Sequence, residues 1–356
     1  MKTNLFVVES PLQLLSAIEA AHRTEPKSKN VLVIRYGDSS RTRNNEQMRL
    51  LVNNYAWSHV IDFSDPDTHS MLIHVWRRIK LEQIKFKFKG HISKFYFGEF
   101  RAEWMHYLRS SVSPDESYLL DDGAVTIQVQ QVYIARGLRF PDMQPRSKLE
   151  KIALKLIYLG VLNKRVLSKQ LHLFTAFNLN GLAGQKLDYH HYDNLKKQFA
   201  AQLRTQTNEV WFFGSKYSEA SVLSLDDELL CLQQVNEYFE ASNYDLKYVP
   251  HRDETPEKLD YVEHQMGIPL IQFDVPAEIY LLQSPTLPSL VAGYYTTVLL
   301  NTSVLISEVK TLAFQIPNEM IAPKFREATS NVYDFIRASK INVVDLTSLS
   351  RTQNNL

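Results

Sequence analysis

Two carboxylates and a glycine close a short apolar run in Ser117-Tyr-Leu-Leu-Asp-Asp-Gly-Ala124, and a histidine closes another in Lys247-Tyr-Val-Pro-His-Arg-Asp-Glu254. An ionised carboxylate fixed at a strand end can take a proton from a hydroxyl as that hydroxyl attacks, which is general-base chemistry. Asp121 and Asp122 have that position, and Gly123 permits a tight turn with an unusual backbone angle. A helix opening near Val125 would turn its positive end towards the pair and favour the ionised form. The same letters also suit a helix cap, because aspartate is a common N-cap residue. His251, preceded by Pro250, can donate to a phosphate or protonate a leaving oxygen, and Arg252 adds positive charge beside it.

Further strand ends carry polar groups. In "PSLVAGYYTTVLLNTS", Thr296 and Thr297 open what reads as a helix, whose free N–H groups and hydroxyls make an anion site, unless the pair simply fills a sheet. In "FFGSKYSE", Gly214, Ser215 and Lys216 form a loop that can reach a nucleotide. "VVESPLQLLSA" places Ser10 and Gln13 after the first strand, and "YFGEFRAE" places Glu99 and Arg101 after another, both readable as acceptor contacts or as surface loops. His190-His191 are adjacent in sequence and point apart in most conformations, so they receive no ligand role. The "DPD" at residues 65–67 reads as a turn, and no metal site is expected. Cys231, the single cysteine, excludes an intramolecular disulfide and reads as core packing.

Positioning these groups takes an alternation of strands and crossover helices, the signature of parallel sheets. Strands are expected at residues 4–8, 31–35, 59–63, 94–98 and 117–120, then at 209–213, 245–249, 269–273, 287–292 and 304–308. Helices are expected at 11–22, 43–54, 102–110, 125–136, 225–240, 255–265 and 277–283. A length of 356 residues suits two domains. The polar stretch 177–207 reads as the linker. The expected division is 1–185, an acceptor-binding domain with the acidic motif, 186–330, a nucleotide-binding domain, and 331–356, a segment packing back on the first domain.

Forty basic against thirty-nine acidic residues give a net charge of +1, which offers no argument for a nucleic-acid partner. Local basic stretches stand at 77–90 and 146–170. In the second, Leu149, Ile152, Leu156 and Leu159 follow helical spacing beside Lys148, Lys151 and Lys155, as in a helix at a membrane surface or an ordinary solvated one. The apolar run at the N-terminus is too short for a signal peptide or a span. A cytoplasmic protein is expected, peripheral at the inner membrane if that helix docks there.

The ordered set "SPLQ", "GEFR", "LLDDG", "FFGSKYSE", "VPHR" and "YYTT" resembles bacterial sialyltransferases of the glycosyltransferase family 52 and polysialyltransferase family 38 kind over most of the chain. The resemblance implies a GT-B fold of two Rossmann-like parallel-sheet domains facing across a cleft. It implies a CMP-linked sialic acid or related nonulosonic acid or Kdo as donor, with no cofactor besides this co-substrate. It also implies a lipooligosaccharide, capsule or similar glycan as acceptor, with inversion at the anomeric carbon. Carried over by motif, one of Asp121 and Asp122 is the base, with Asp122 favoured, while Pro250-His251 and Thr296-Thr297 hold the phosphate. Arg252 stands where the family has proline, which leaves the donor sugar open. The alternatives are a GT-B transferase using a UDP- or GDP-sugar and a non-catalytic envelope protein binding a glycan or membrane.

Overall fold

The strand Thr3–Val8 (β1) has every residue buried, so it needs cover on both faces, and a parallel sheet with helices on each side provides it. The computed structural model describes residues 2–38, 41–67, 70–88, 91–140, 146–199 and 204–348. The chain divides into two units, Met1–Asn194 and Leu195–Leu356.

In the first unit β1 is followed by Pro11–His22 (α1), Lys29–Ile34 (β2), Thr42–Val52 (α2), His59–Asp62 (β3), Ser70–Phe88 (α3), Ile92–Phe97 (β4), Glu103–Val112 (α4) and Glu116–Leu120 (β5). Ala124–Gln128 (α5), Lys148–Ile157 (α6), Lys164–Ser168 (α7), Leu171–Thr175 (β6) and Leu187–Tyr189 (β7) complete it. All seven strands are parallel, in the order β3-β2-β1-β4-β5-β6-β7. The order reverses direction between β1 and β4, where such sheets open a ligand crevice beyond their carboxyl ends.

Asp193–Phe199 (α8) leads into the second unit, and Thr205–Gln206 (β8) pairs there with Thr286–Leu287 (β11). The main sheet takes Glu209–Phe213 (β9), Leu225–Ala241 (α9), Asp245–Val249 (β10), Pro256–Asp260 (α10) and Ala277–Gln283 (α11), then Leu290–Gly293 (β12), Thr297–Leu305 (α12), Lys310–Gln315 (β13), Arg326–Ala338 (α13) and Asn342–Asp345 (β14). Its parallel order is β10-β9-β12-β13-β14, with the switch between β9 and β12. Cys231 is buried in this core beside the Met320 sulfur.

Several expected elements differ. Residues 269–273 form no strand, because Pro269 lacks an N–H to donate and only Leu270 bridges Tyr248. Residues 304–308 are the end of α12 and the turn after it, and the strand follows at Lys310–Gln315. The helix expected at 125–136 is α5 running into a π-helical turn, Val129–Ile134. The stretch 177–207 is not simply a linker, since β7 lies within it and completes the first sheet. The described part of 331–356 belongs to the second unit: Tyr333 and Ile336 of α13 are buried, and β14 pairs with β13. Its residues from 349 lie outside the described residues.

Candidate active site

The strand β5 delivers its two aspartates to different surroundings, because successive side chains leave a strand on opposite sides. Asp121 is wholly buried, its Oδ2 accepting from the Ala176 N–H at 2.7 Å and lying 3.5 Å from His190 Nε2. His190 is also buried and stacks on Phe174 at 4.4 Å. A carboxylate so enclosed cannot touch a substrate, and the role left to Asp121 is to anchor its turn. His190 is the residue that sequence reading missed: the adjacency to His191 concealed that only His190 turns inward from the end of β7.

Asp122 is half-buried. Its backbone N–H donates to Thr126 Oγ1 at 2.8 Å, and Ser10 Oγ donates to its Oδ1 at 3.4 Å. The cap position of α5 falls to Gly123, with φ 71° and ψ −148°, a region essentially closed to other residues, so the glycine is required by the turn. The sequence predicts that the field of a following helix keeps the aspartate ionised. Instead burial, reinforced by the Glu99 charge, pushes the Asp122 carboxyl up to about 7, against the lowering by Gln13 and Arg101. A five-residue helix offers too little opposing field.

Ser10 caps α1, accepting from the Gln13 N–H at 3.3 Å, and buried Gln13 returns its Oε1 to the Glu9 N–H at 2.8 Å. Gly98, at the end of β4, has no room for a side chain because a Cβ would lie 2.3 Å from the Gln13 amide. Next to it, Arg101 forks onto Glu99 at 3.0 and 2.7 Å. Thus Ser10, Gln13, Glu99 and Arg101 gather with Asp122 at the switch of the first sheet. Glu99 and Arg101 also line a cavity of about 500 Å³ with Glu9, Arg35, Trp104 and Tyr158. Glu9 accepts there from Trp104 Nε1 at 2.9 Å and from Arg35 at 3.0 Å. Asp65 of the "DPD" letters accepts from Arg77 at 2.7 Å and Arg35 at 2.6 Å. It is an ion-pair hub.

In the second unit, Gly214 after β9, His251 after β10 and Thr296 after β12 leave the same sheet edge, since Val249, Phe213 and Gly293 are in register. The Asp253 N–H donates to His251 Nδ1 at 3.2 Å, so this nitrogen is the acceptor and Nε2 carries the proton of the neutral ring. Burial, then the Arg252 charge, pulls His251 down to about 4, which keeps it neutral at physiological pH. Its backbone N–H is held by Glu254 at 2.7 Å. Glu254 accepts from Tyr248 at 2.5 Å and pairs at 2.9 Å with the buried Lys258, which donates to the Ser215 carbonyl at 3.2 Å. One buried lysine thereby ties the Gly214-Ser215 loop to the histidine loop. A Cβ on Gly214 would lie 2.1 Å from the Tyr248 hydroxyl, so that glycine is explained by packing. Lys216 and Arg252 both contact Asp253. Thr296 caps α12, accepting from the Val298 N–H at 3.4 Å, and Thr297 is the first residue of the helix.

Among the described residues no cluster of three or more His, Cys, Asp or Glu is placed to hold a metal ion. No described helix is long and apolar enough to cross a membrane.

A family model described as alpha-2,8-polysialyltransferase matches residues 4–314. No curated protein matches the chain. The UDP-GlcNAc 2-epimerase from Neisseria meningitidis, solved bound to UDP-GlcNAc, is similar with a TM-score of 0.50 and 10% identity over 94% of this chain and 90% of that one. UGT89C1 from Arabidopsis thaliana, complexed with UDP-L-rhamnose, has a TM-score of 0.47 and 13% identity over 96% and 85%. At these identities the likeness to the epimerase is one of fold, two Rossmann-like halves, and assigns no residue a role.

Proposed function

The chain belongs to the alpha-2,8-polysialyltransferase family, and from that premise we propose that this glycosyltransferase moves a sialic acid or related acidic sugar from a CMP-sugar to a hydroxyl of a cell-surface glycan, with inversion. The observation that carries the reading is Asp122: a carboxylate of a half-buried residue on a fixed turn, gathered with Ser10, Gln13, Glu99 and Arg101 and raised to about 7, where a general base is most effective at neutral pH. Ser10, Gln13, Glu99 and Arg101 form the acceptor side. The acceptor oxygen bonds to the anomeric carbon as its proton passes to Asp122, and the bond from that carbon to the phosphate oxygen breaks, releasing CMP.

Negative charge gathers on the departing phosphate and positive charge on the sugar ring. Donors that tighten on that phosphate in the transition state lower the barrier. The neutral His251 offers its Nε2–H for this, and the start of α12 with Thr296 and Thr297 offers hydroxyls and N–H groups. Gly214, Ser215 and Lys216 lie on the adjoining loop, beside Pro250 and Arg252. No cofactor beyond the CMP-sugar enters this scheme.

The test is release of CMP from CMP-sialic acid across a panel of glycan acceptors. Asp122→Ala should lower kcat about 10²–10⁴-fold with little change in KM. Wild-type transfer by Asp122→Ala rejects the base assignment, and stabilisation by UDP or GDP but not CMP rejects the donor.

A further inference from the structure

We propose that the outer faces of α3 and α6 form a docking surface for an anionic phospholipid bilayer. On α3, Leu72, Val75 and Ile79 recur at helical spacing and are exposed, and Phe86, two turns further on, is 92% exposed. On α6, Leu149, Ile152 and Leu156 do the same, with Leu149 80% exposed. Solvated helices put polar residues on this face, and here the large aliphatic ones occupy it.

The two helices are held side by side. Arg78 Nε donates to the Ile157 carbonyl at 3.1 Å, and His74 Nδ1 lies 3.1 Å from the Tyr158 hydroxyl. Val75 and Ile79 follow directly on the α3 residues of that seam, and Leu156 precedes the α6 residues. Both apolar rows are thus carried by helices that pack against each other.

Charge selects the occupant. Residues 70–88 and 148–165 hold ten Lys and Arg against two Glu, a formal +8 from which Arg77 is withdrawn by its pairing with Asp65, in a chain whose net charge is +1. Lys148, Lys151, Lys155 and Lys164 are exposed around the aliphatic row, and Lys80 sits 5.3 Å from the half-buried Trp76 ring. Apolar residues bordered by lysines, on helices too polar to span, match a surface that offers acyl chains beneath anionic headgroups. His74 and Tyr158 line the 500 Å³ cavity as well as the seam, so an acceptor glycan held in that cavity would lie against the two docked helices. That last consequence rests on the acceptor reading above.

The experiment is flotation of the full chain with vesicles of phosphatidylcholine alone or mixed with phosphatidylglycerol, at low and high salt. The surface assignment expects binding to the mixed vesicles, weakened by salt, and about tenfold or greater loss in Leu149→Glu/Ile152→Glu and in Leu72→Glu/Ile79→Glu. Melting temperature and CMP release with a soluble acceptor should stay at wild-type values in both variants. Absence of binding to either vesicle, or equal binding by wild type and variants, overturns the proposal. A wild-type dimer that the Glu substitutions split, with no flotation, overturns it in favour of a second copy as the occupant. Because flotation needs no sugar donor, its failure is separate from failure of the transferase reading.

Discussion

Asp122 after β5 and His251 after β10 each leave a parallel strand at its carboxyl edge, and each loses solvent there, with opposite consequences for the charge they carry. Burial favours the neutral form of both. For the aspartate this means a carboxyl lifted to about 7. For the histidine it means a ring drawn down to about 4. Like-charged neighbours reinforce each shift, Glu99 in the first unit and Arg252 in the second. A carboxylate becomes a stronger base by being raised, and a histidine becomes a pH-independent hydrogen-bond donor by being lowered. Their supports differ as well. The aspartate's turn depends on a glycine with φ 71°, whereas the histidine's loop depends on the buried Lys258–Glu254 pair.

The comparison breaks first at the histidine. His251→Ala should cost about 10²-fold in kcat/KM by removing a donor to the leaving phosphate. Its acid limb should nevertheless remain where the wild type has it, because a ring already neutral above about 4 does not set that limb. If the limb disappears with His251, the titrating group belongs to the second unit and the contrast between the two sites is lost.

The smaller effect is on stability. Asp122 has its carboxyl raised from 3.8 to about 7 in the folded chain, so between those values the folded state holds a proton that the unfolded state releases. Stability therefore falls as pH rises across that window, and the loss is complete above about 7. Asp122→Asn removes the penalty. Thermal melts should place Asn several degrees above wild type at pH 8, with the difference largely gone at pH 4. An Asn variant less stable than wild type at pH 8 would mean that the Ser10 contact outweighs burial.

Much of this was readable from letters, and the exceptions have physical causes. The strands before Asp121, Gly214 and His251 end in consecutive buried apolar residues, and these short runs stand out. Leu187–Tyr189 is a three-residue strand, half-buried or exposed, set in polar sequence, so neither length nor pattern marks it. His190 was hidden with it. Residues 304–308 read as a strand because Val304 and Ile306 are β-branched, yet Thr296 caps a helix that holds the chain through Leu305. Tertiary position overrides such propensities. The motif order gave the candidate residues, but the difference between Asp121 and Asp122 needed coordinates, since only burial separates them.

The pH profile of kcat/KM for CMP release, measured on wild type and Glu99→Gln, tests the central claim most directly. If Asp122 is the base, wild-type activity rises with pH through an apparent pKa near 7. Removing the Glu99 charge, and freeing Arg101 from it, should move that limb to lower pH. A limb that stays in place or moves up in Glu99→Gln, or a wild-type profile flat from about pH 5 to 8, would contradict it.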